Sequence, residues 1–425
     1  MRGNGIRPFV AELIRRLWNK KNEISFVTLM SYATFGITFL TQVVLARLLE
    51  PTNYGIYIGS LAIIALVEVP LVVRGSEVSL RRLGTYWQQG GRNVSGLVRR
   101  INYDDLRIFL AVFVLIILAS GWLSAISGAD HLFFIILTLI IPAQIGYGVF
   151  RSYFMIFDIV PLMVKFEMTY ALSMLTLTVA GYSLYGMFGL AWAVVLSMLL
   201  KTYLAYLFTK RFLPAKDTSG IPFPEQTDHN DSLFSILRNL CSNGINQIDL
   251  VILAAFQSPQ TVAIYKVAKS LSALPTKVSF PVWRYLQPKF IQAVLNDDKA
   301  KMRKSIYYGS AVLCLLLALI FPFVWIAGQE LIALLYGQAY RDAFQPLLVL
   351  LIGIWAFNGL TGWFKIWAVV SKAQHFGLFI YFMMFVSLIA FGVLLGSGGP
   401  LEMAYAVSGI FVAFSVLVTV KALIL

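Results

Sequence analysis

The sequence predicts an all-α integral membrane protein, with about twelve transmembrane helices in two pseudo-symmetric six-helix lobes. Three observations predict it. The chain is 59% apolar and 13% charged, whereas soluble domains sit near roughly 45–50% and 25%. Charge-free runs such as 109–126 and 376–395 are long enough to cross the ~30 Å of a bilayer's hydrocarbon. The chain also repeats itself. When LARLLEPTNYGIY (45–57) is laid over LAAFQSPQTVAIY (253–265), Leu45, Ala46, Pro51, Ile56 and Tyr57 fall on Leu253, Ala254, Pro259, Ile264 and Tyr265 without a gap. The same offset carries the basic segment 81–100 onto the basic segment 289–304. Six spans per half is an even number, so both halves insert the same way, related by an axis along the membrane normal.

The elements follow in order. Residues 1–23 form a basic N-terminal segment whose Phe9, Val10, Leu13, Ile14, Leu17 and Trp18 recur at helical spacing. It reads as an interfacial amphipathic helix, with a disordered tail as the alternative. The first apolar run follows this long basic tail and is too long for the apolar region of a removable leader. The N-lobe covers 24–210, with spans at 24–47, 53–73, 108–126, 132–150, 166–186 and 188–208. Residues 211–231, with three prolines and four acids, form a cytoplasmic linker. The C-lobe covers 232–425, with spans at 233–256, 261–284, 306–327, 343–364, 376–395 and 401–422. Cys241 and Cys314 lie in different apolar spans and read as packing thiols.

The net charge of +14 is explained by topology. All but six of the 34 Lys and Arg fall on the side of the N-terminal tail and the even-to-odd loops. Arg47 and Arg341 fall on the other side, and Arg238, Lys266, Lys269 and Lys277 lie within spans. This is the positive-inside pattern, with both termini cytoplasmic. It leaves little charge for nucleic acid, which is not an expected partner.

The stretch VAIYKVAKSLSALPTK (262–277) is the chemical anomaly. Three lysines facing lipid would cost about 8–10 kcal/mol on insertion scales. At 100° per residue Lys266 and Lys277 fall within about 20° of each other and Lys269 about 60° to one side. Ser270 and Ala273 share this stripe, while Val267, Leu271 and Leu274 lie opposite. A polar, small stripe backed by a greasy one favours a water-filled cavity. The bland reading is snorkelling to the interface, and Pro275 is placed to kink the helix and turn Lys277 off the stripe. Asp249, in RNLCSNGINQIDLVIL (238–253), must pair or protonate. A salt bridge to Lys266 or Lys269 and a proton or cation site both remain open. Glu68 is a second acid within a span. At the equivalent positions of the first half stand Ile58, Leu61 and Val69, so one lobe presents cations and the other apolar side chains. That contrast suits an anionic headgroup with its apolar chain left in lipid.

No Walker loop and no GxGxxG occurs, the three histidines are scattered, and no Cys/His spacing suggests a metal. The external loops are short, with acids limited mainly to Glu50, Asp130, Glu330, Asp342 and Glu402, so nothing points to a catalytic domain.

ARLLEPTNYGIY (46–57) resembles the first-loop signature of polysaccharide exporters. Asp249, Ser258-Pro259 and AIYKVAKSL (263–271) resemble its second-half counterpart, with Ala263 in place of the usual glycine. The family is the Wzx-type O-antigen and exopolysaccharide flippases of the multidrug/oligosaccharidyl-lipid/polysaccharide exporter superfamily. The resemblance implies two lobes around a central cavity in a bacterial inner membrane. It also implies alternating access that moves a polyprenyl-diphosphate-linked oligosaccharide from the inner to the outer leaflet. Lys266 and Lys269 first, then Lys277 and Arg238, would meet the diphosphate. Asp249, with Glu68 as a second acid, would couple an ion or hold an ion pair. A proton or sodium gradient would drive transport without a bound cofactor. Membrane lipids, a polysaccharide polymerase and glycosyltransferases would be the neighbours. A cation antiporter of the same fold would want acids in the cavity. An integral-membrane glycosyltransferase would want a large external loop with paired acids.

Overall fold

A computed structural model describes residues 6–73, 79–88, 94–157, 159–212, 229–296, 298–364, 367 and 374–424. Among the described residues the chain is helical and has no strand. Of the sequence expectations, the greater part of the 211–231 linker lies outside these residues.

In order, the helices are α1 (Ile6–Leu48), α2 (Glu50–Val73), α3 (Ser79–Gln88), α4 (Val94–Ser127), α5 (His131–Thr138), α6 (Ile140–Ile156) and α7 (Val160–Phe212). They continue with α8 (His229–Gly244), α9 (Ile248–Phe256), α10 (Pro259–Leu295), α11 (Lys299–Tyr336), α12 (Phe344–Ile354), α13 (Gln374–Leu395) and α14 (Pro400–Ile424). A 3₁₀ turn (Gln338–Ala343) precedes α12, a π-helical turn (Trp355–Leu360) follows it, and a 3₁₀ turn (Gly396–Gly398) precedes α14.

Among the described residues, nine stretches are long and apolar enough to cross a membrane. One of them, Val160–Lys210, is 51 residues long and folds back on itself. Its helix breaks at Tyr185 and Gly186, and Gly186 has φ 60°, a left-handed conformation that glycine adopts without a Cβ penalty. The break falls where the sequence separates spans five and six. The stretches expected as spans seven and eight are not among the nine. The first is split between α8 and α9, and the second carries three lysines. The multi-pass class is therefore established, while twelve crossings remain the sequence reading.

Helix limits follow local chemistry. Ser258 caps α10 by accepting from the Thr261 N–H (3.4 Å), with Pro259 in the first turn, where its missing N–H costs nothing. Asp298 caps α11, accepting from the Lys301 N–H at 3.0 Å. α10 and α11 have 37 and 38 residues, about 55 Å each, so both continue well beyond one crossing. The faces that a bilayer covers are oily. Leu110, Val114, Leu115, Leu118 and Trp122 are exposed on α4, and Leu315, Leu319, Phe323 and Ile326 on α11.

The helices form two compact units that do not coincide with the two halves of the repeat. The first comprises Met1–Gln42, Arg74–Phe109 and Leu139–Thr227. Within it α6 lies against both α3 and α7, and Thr202 on α7 donates to the Ala143 carbonyl of α6 at 2.8 Å. The second comprises Val43–Val73, Leu110–Thr138 and Asp228–Leu425. Here α2 lies along α10 and against α8, and α12 packs on α10 and α14.

Within the second unit, segments from the two sequence halves are tied at the connections read as external. Arg47 donates through Nε to the Leu335 carbonyl (2.7 Å) and through Nη2 to the Leu334 carbonyl, satisfying carbonyls at the end of α11 that have no partner within the helix. Tyr340 donates its O–H to the Ala46 carbonyl at 2.9 Å, and its ring meets that of Tyr54 edge-on. Gly55 of α2 lies so close to α10 that a Cβ there would fall on the Pro259 carbonyl. Arg47, placed by the sequence only on the external side, is thus a fastener between segments.

Candidate functional site

The chemistry concentrates where α9 and α10 meet. The helix expected over 233–256 stops at Gly244 and restarts at Ile248. Across the gap the backbone makes tight turns, Asn246 N–H to the Asn243 carbonyl and Gln247 N–H to the Gly244 carbonyl. Gln247, at φ −125°, ψ −24°, is outside the helical region. The break frees the Asn246 carbonyl for a side chain. Lys269 of α10 takes it, Nζ to O at 2.7 Å. Irregular backbone at membrane depth is tolerated where protein groups satisfy it, as here.

The same ammonium is 2.7 Å from each carboxylate oxygen of Asp249. Asp249 also accepts the Tyr265 O–H at 2.7 Å on Oδ2 and the Leu250 N–H at 2.8 Å on Oδ1. Its side chain is 1% exposed and that of Lys269 15%, so the carboxylate is the buried partner and the ammonium the accessible one. An ammonium has three N–H donors, and Lys269 spends all of them on Asp249 and Asn246. Of the two readings open for Asp249, the geometry realises the salt bridge, and with Lys269 in particular.

Lys266, three residues earlier on the same helix, is half-buried and experiences the charges of both Lys269 and Asp249. Among the described residues it has no hydrogen bond or ion pair. The rest of α10 sorts by face: Val262, Tyr265, Val267, Ala268 and Leu271 are buried, Ser270 and Ala273 half-buried, and Lys277 exposed.

The other expected residues are not assembled with this pair. Lys277 lies about 12 Å further along α10. Arg238 is half-buried on α8. Glu68 is half-buried on α2. None of the three is a hydrogen-bond partner of Asp249. At the repeat offset Asp249, Lys266 and Lys269 correspond to Thr41, Ile58 and Leu61. Thr41 is buried and donates to the Ile37 carbonyl of its own helix, so the first half carries no ionic counterpart at these positions.

Sequence reasoning missed two partners and one cluster. Tyr265 is one of the five identities of the repeat, which hinted at its weight without giving its role as donor to Asp249. The Asn246 carbonyl was hidden because a broken helix is not read from an Asn-Gly pair alone. The cluster is in the first unit, where Lys201 of α7 meets Glu167 of the same helix across the hairpin at 2.8 Å, and the Tyr147 O–H donates to Glu167 at 2.8 Å. The Lys201 ammonium sits 3.7 Å from the Tyr147 ring centre and 4.8 Å from that of Tyr170.

The family model described as "Polysaccharide biosynthesis protein" matches residues 21–294, more than half of the chain. Among solved structures the fold is shared with the lipid II flippase MurJ in an inward closed conformation (TM-score 0.76, 10% identity, covering 93% of this chain and 87% of that one). It is shared with an inward-facing multidrug resistance MATE family transporter of the MOP superfamily (TM-score 0.69, 13% identity, 91% and 93%). A MOP superfamily transporter from Pyrococcus furiosus, described as having a binding pocket of reverse polarity, also matches (TM-score 0.58, 14% identity, 94% and 93%). No curated protein matches the chain in sequence.

Proposed function

The chain belongs to the family of polysaccharide biosynthesis proteins, and from that premise we propose that it is a flippase for a polyprenyl-diphosphate-linked oligosaccharide. It moves this lipid from the cytoplasmic to the outer leaflet of a bacterial inner membrane, with both termini cytoplasmic. The product feeds surface polysaccharide synthesis, of O-antigen or exopolysaccharide type. Alternating access, driven by a proton or sodium gradient, carries the movement. The MurJ-like and MATE-like fold supports transport, since MurJ is a lipid II flippase.

The observation that carries the reading is Lys266. A half-buried lysine with no hydrogen bond or ion pair among the described residues, beside the Lys269–Asp249 pair, is a place for an anion. A diphosphate offers acceptor oxygens for it, and charge-assisted hydrogen bonds of this kind contribute about 1.5–3 kcal/mol. Lys277 and Arg238, further from the pair, serve the path of the headgroup, and Glu68 serves coupling. Export of a cationic small molecule, which the MATE likeness would suggest, is disfavoured by the same geometry, because the carboxylate that such a cargo needs is already held by Lys269.

The test is transfer of a fluorescent lipid-linked oligosaccharide between leaflets of reconstituted vesicles. Lys266→Gln should fold and slow transfer by about tenfold or more, the equivalent of the hydrogen-bond energy above. Transfer at the wild-type rate would remove the basis of the proposal.

A further inference from the structure

Lys269 and Asp249 are unequal partners, and the inequality points to regulation of the site just proposed, on whose reading this inference rests. Asp249 is the fixed member. Its carboxylate is 1% exposed, and it accepts the Tyr265 O–H and the Leu250 N–H, two bonds that do not involve Lys269. Lys269 is the movable member, a partly exposed ammonium on a flexible four-carbon stem. With its donors all used, it has none left for a substrate. One turn away stands Lys266, which has no hydrogen bond or ion pair among the described residues. Residues three apart on a helix lie on one face with Cβ atoms about 5–6 Å apart, a spacing that lets two ammonium groups grip the two phosphates of a diphosphate together.

We infer that Asp249 is a resident competitor: its carboxylate occupies Lys269 while the site is empty, and the substrate's diphosphate, met first by Lys266, takes Lys269 from it. The exchange is anion for anion, so Lys269 never stands uncompensated, and the two donors left on Asp249 stabilise it during the exchange. Return of Lys269 to Asp249 then helps to expel the headgroup on the far side. Tyr265 is a positioning residue: its O–H is what makes Asp249 tolerate the loss of Lys269.

The experiment measures binding of a polyprenyl diphosphate to the purified full chain in nanodiscs, together with vesicle transfer. If Lys269 is free less than a tenth of the time, removing the competitor should tighten binding by about tenfold. Asp249→Asn should therefore bind more tightly than wild type while transferring more slowly, because release loses its push. Tyr265→Phe should bind more weakly, because Asp249 then holds Lys269 harder. In a Lys269→Gln background, Asp249→Asn should add nothing. Weaker or unchanged binding by Asp249→Asn with an unchanged melting temperature overturns the inference. So does equal tightening without Lys269, which would mark a general field effect. Should Asp249→Asn fail to fold, Tyr265→Phe decides, and unchanged or tighter binding there overturns it. These failures leave the flippase reading standing if wild type binds and Lys266→Gln weakens it. If wild type does not bind the diphosphate at all, both fall.

Discussion

Each compact unit pairs one lysine with one carboxylate that also accepts a tyrosine O–H, and the two pairs bury opposite members. In the first, Lys201 joins Glu167 while two tyrosine rings close over the ammonium, and the lysine is 6% exposed. A cation boxed by ring faces is stabilised where it is and offers nothing outward. In the second, Lys269 joins Asp249 with its ammonium partly accessible, beside a broken helix and a second lysine that has no hydrogen bond or ion pair among the described residues. The lesson is that a buried ion pair does not itself mark a site. Under the proposed function the leftover charge beside it does, together with which of the two partners is exposed.

The largest expected effect tests the boxed pair. Glu167→Ala leaves the Lys201 ammonium without its counter-charge among rings; the Glu167 side chain is 32% exposed, so the cost falls below the roughly 3–5 kcal/mol of breaking a fully buried pair. The measurement is yield and thermal midpoint in detergent. A sharply lowered midpoint is expected, with transfer falling only as folded protein falls. An unchanged midpoint would mean that the aromatic box holds the lysine alone.

The smallest effect calibrates both. Asp298 and Lys301 make an exposed pair at the start of α11, 2.7 Å apart. Hydrogen bonds from Lys301 hold the Asp298 carboxyl below its usual range, so its contribution is present above the unfolded value near about 3.9 and is lost as pH falls through the lowered one. Asp298→Asn should lower the thermal midpoint slightly between pH 5 and 8. The difference from wild type should close below about pH 4. A difference that grows on acidification would contradict the sign.

Much of this was legible in the sequence, for physical reasons. Lipid imposes uniform apolar length, so charge-free runs gave the membrane class directly. Asp249 could be read as a pairing acid because an isolated carboxylate within a span has few alternatives. Choosing Lys269 over Lys266 was not possible, since both lie on one stripe and the choice turns on where α9 restarts. That restart was illegible because the polar run from Asn243 to Gln247 fits a helix face as well as a break. The Glu167–Lys201 pair was missed because it depends on how two arms of a hairpin rotate against each other, and periodicity does not fix that. The fastening of Arg47 onto α11 depends on contacts across the chain that no local pattern encodes.

The measurement that tests the central claim most directly compares the two pairs after both are neutralised, in one leaflet-transfer assay. Replacing a buried pair by uncharged side chains of similar size leaves stability nearly unchanged or improved, so the double variants Lys201→Met with Glu167→Gln and Lys269→Met with Asp249→Asn should both fold. The first is expected to transfer lipid-linked oligosaccharide near the wild-type rate, and the second to lose transfer. Equal rates in the two folded variants, or loss confined to the first, would contradict the account.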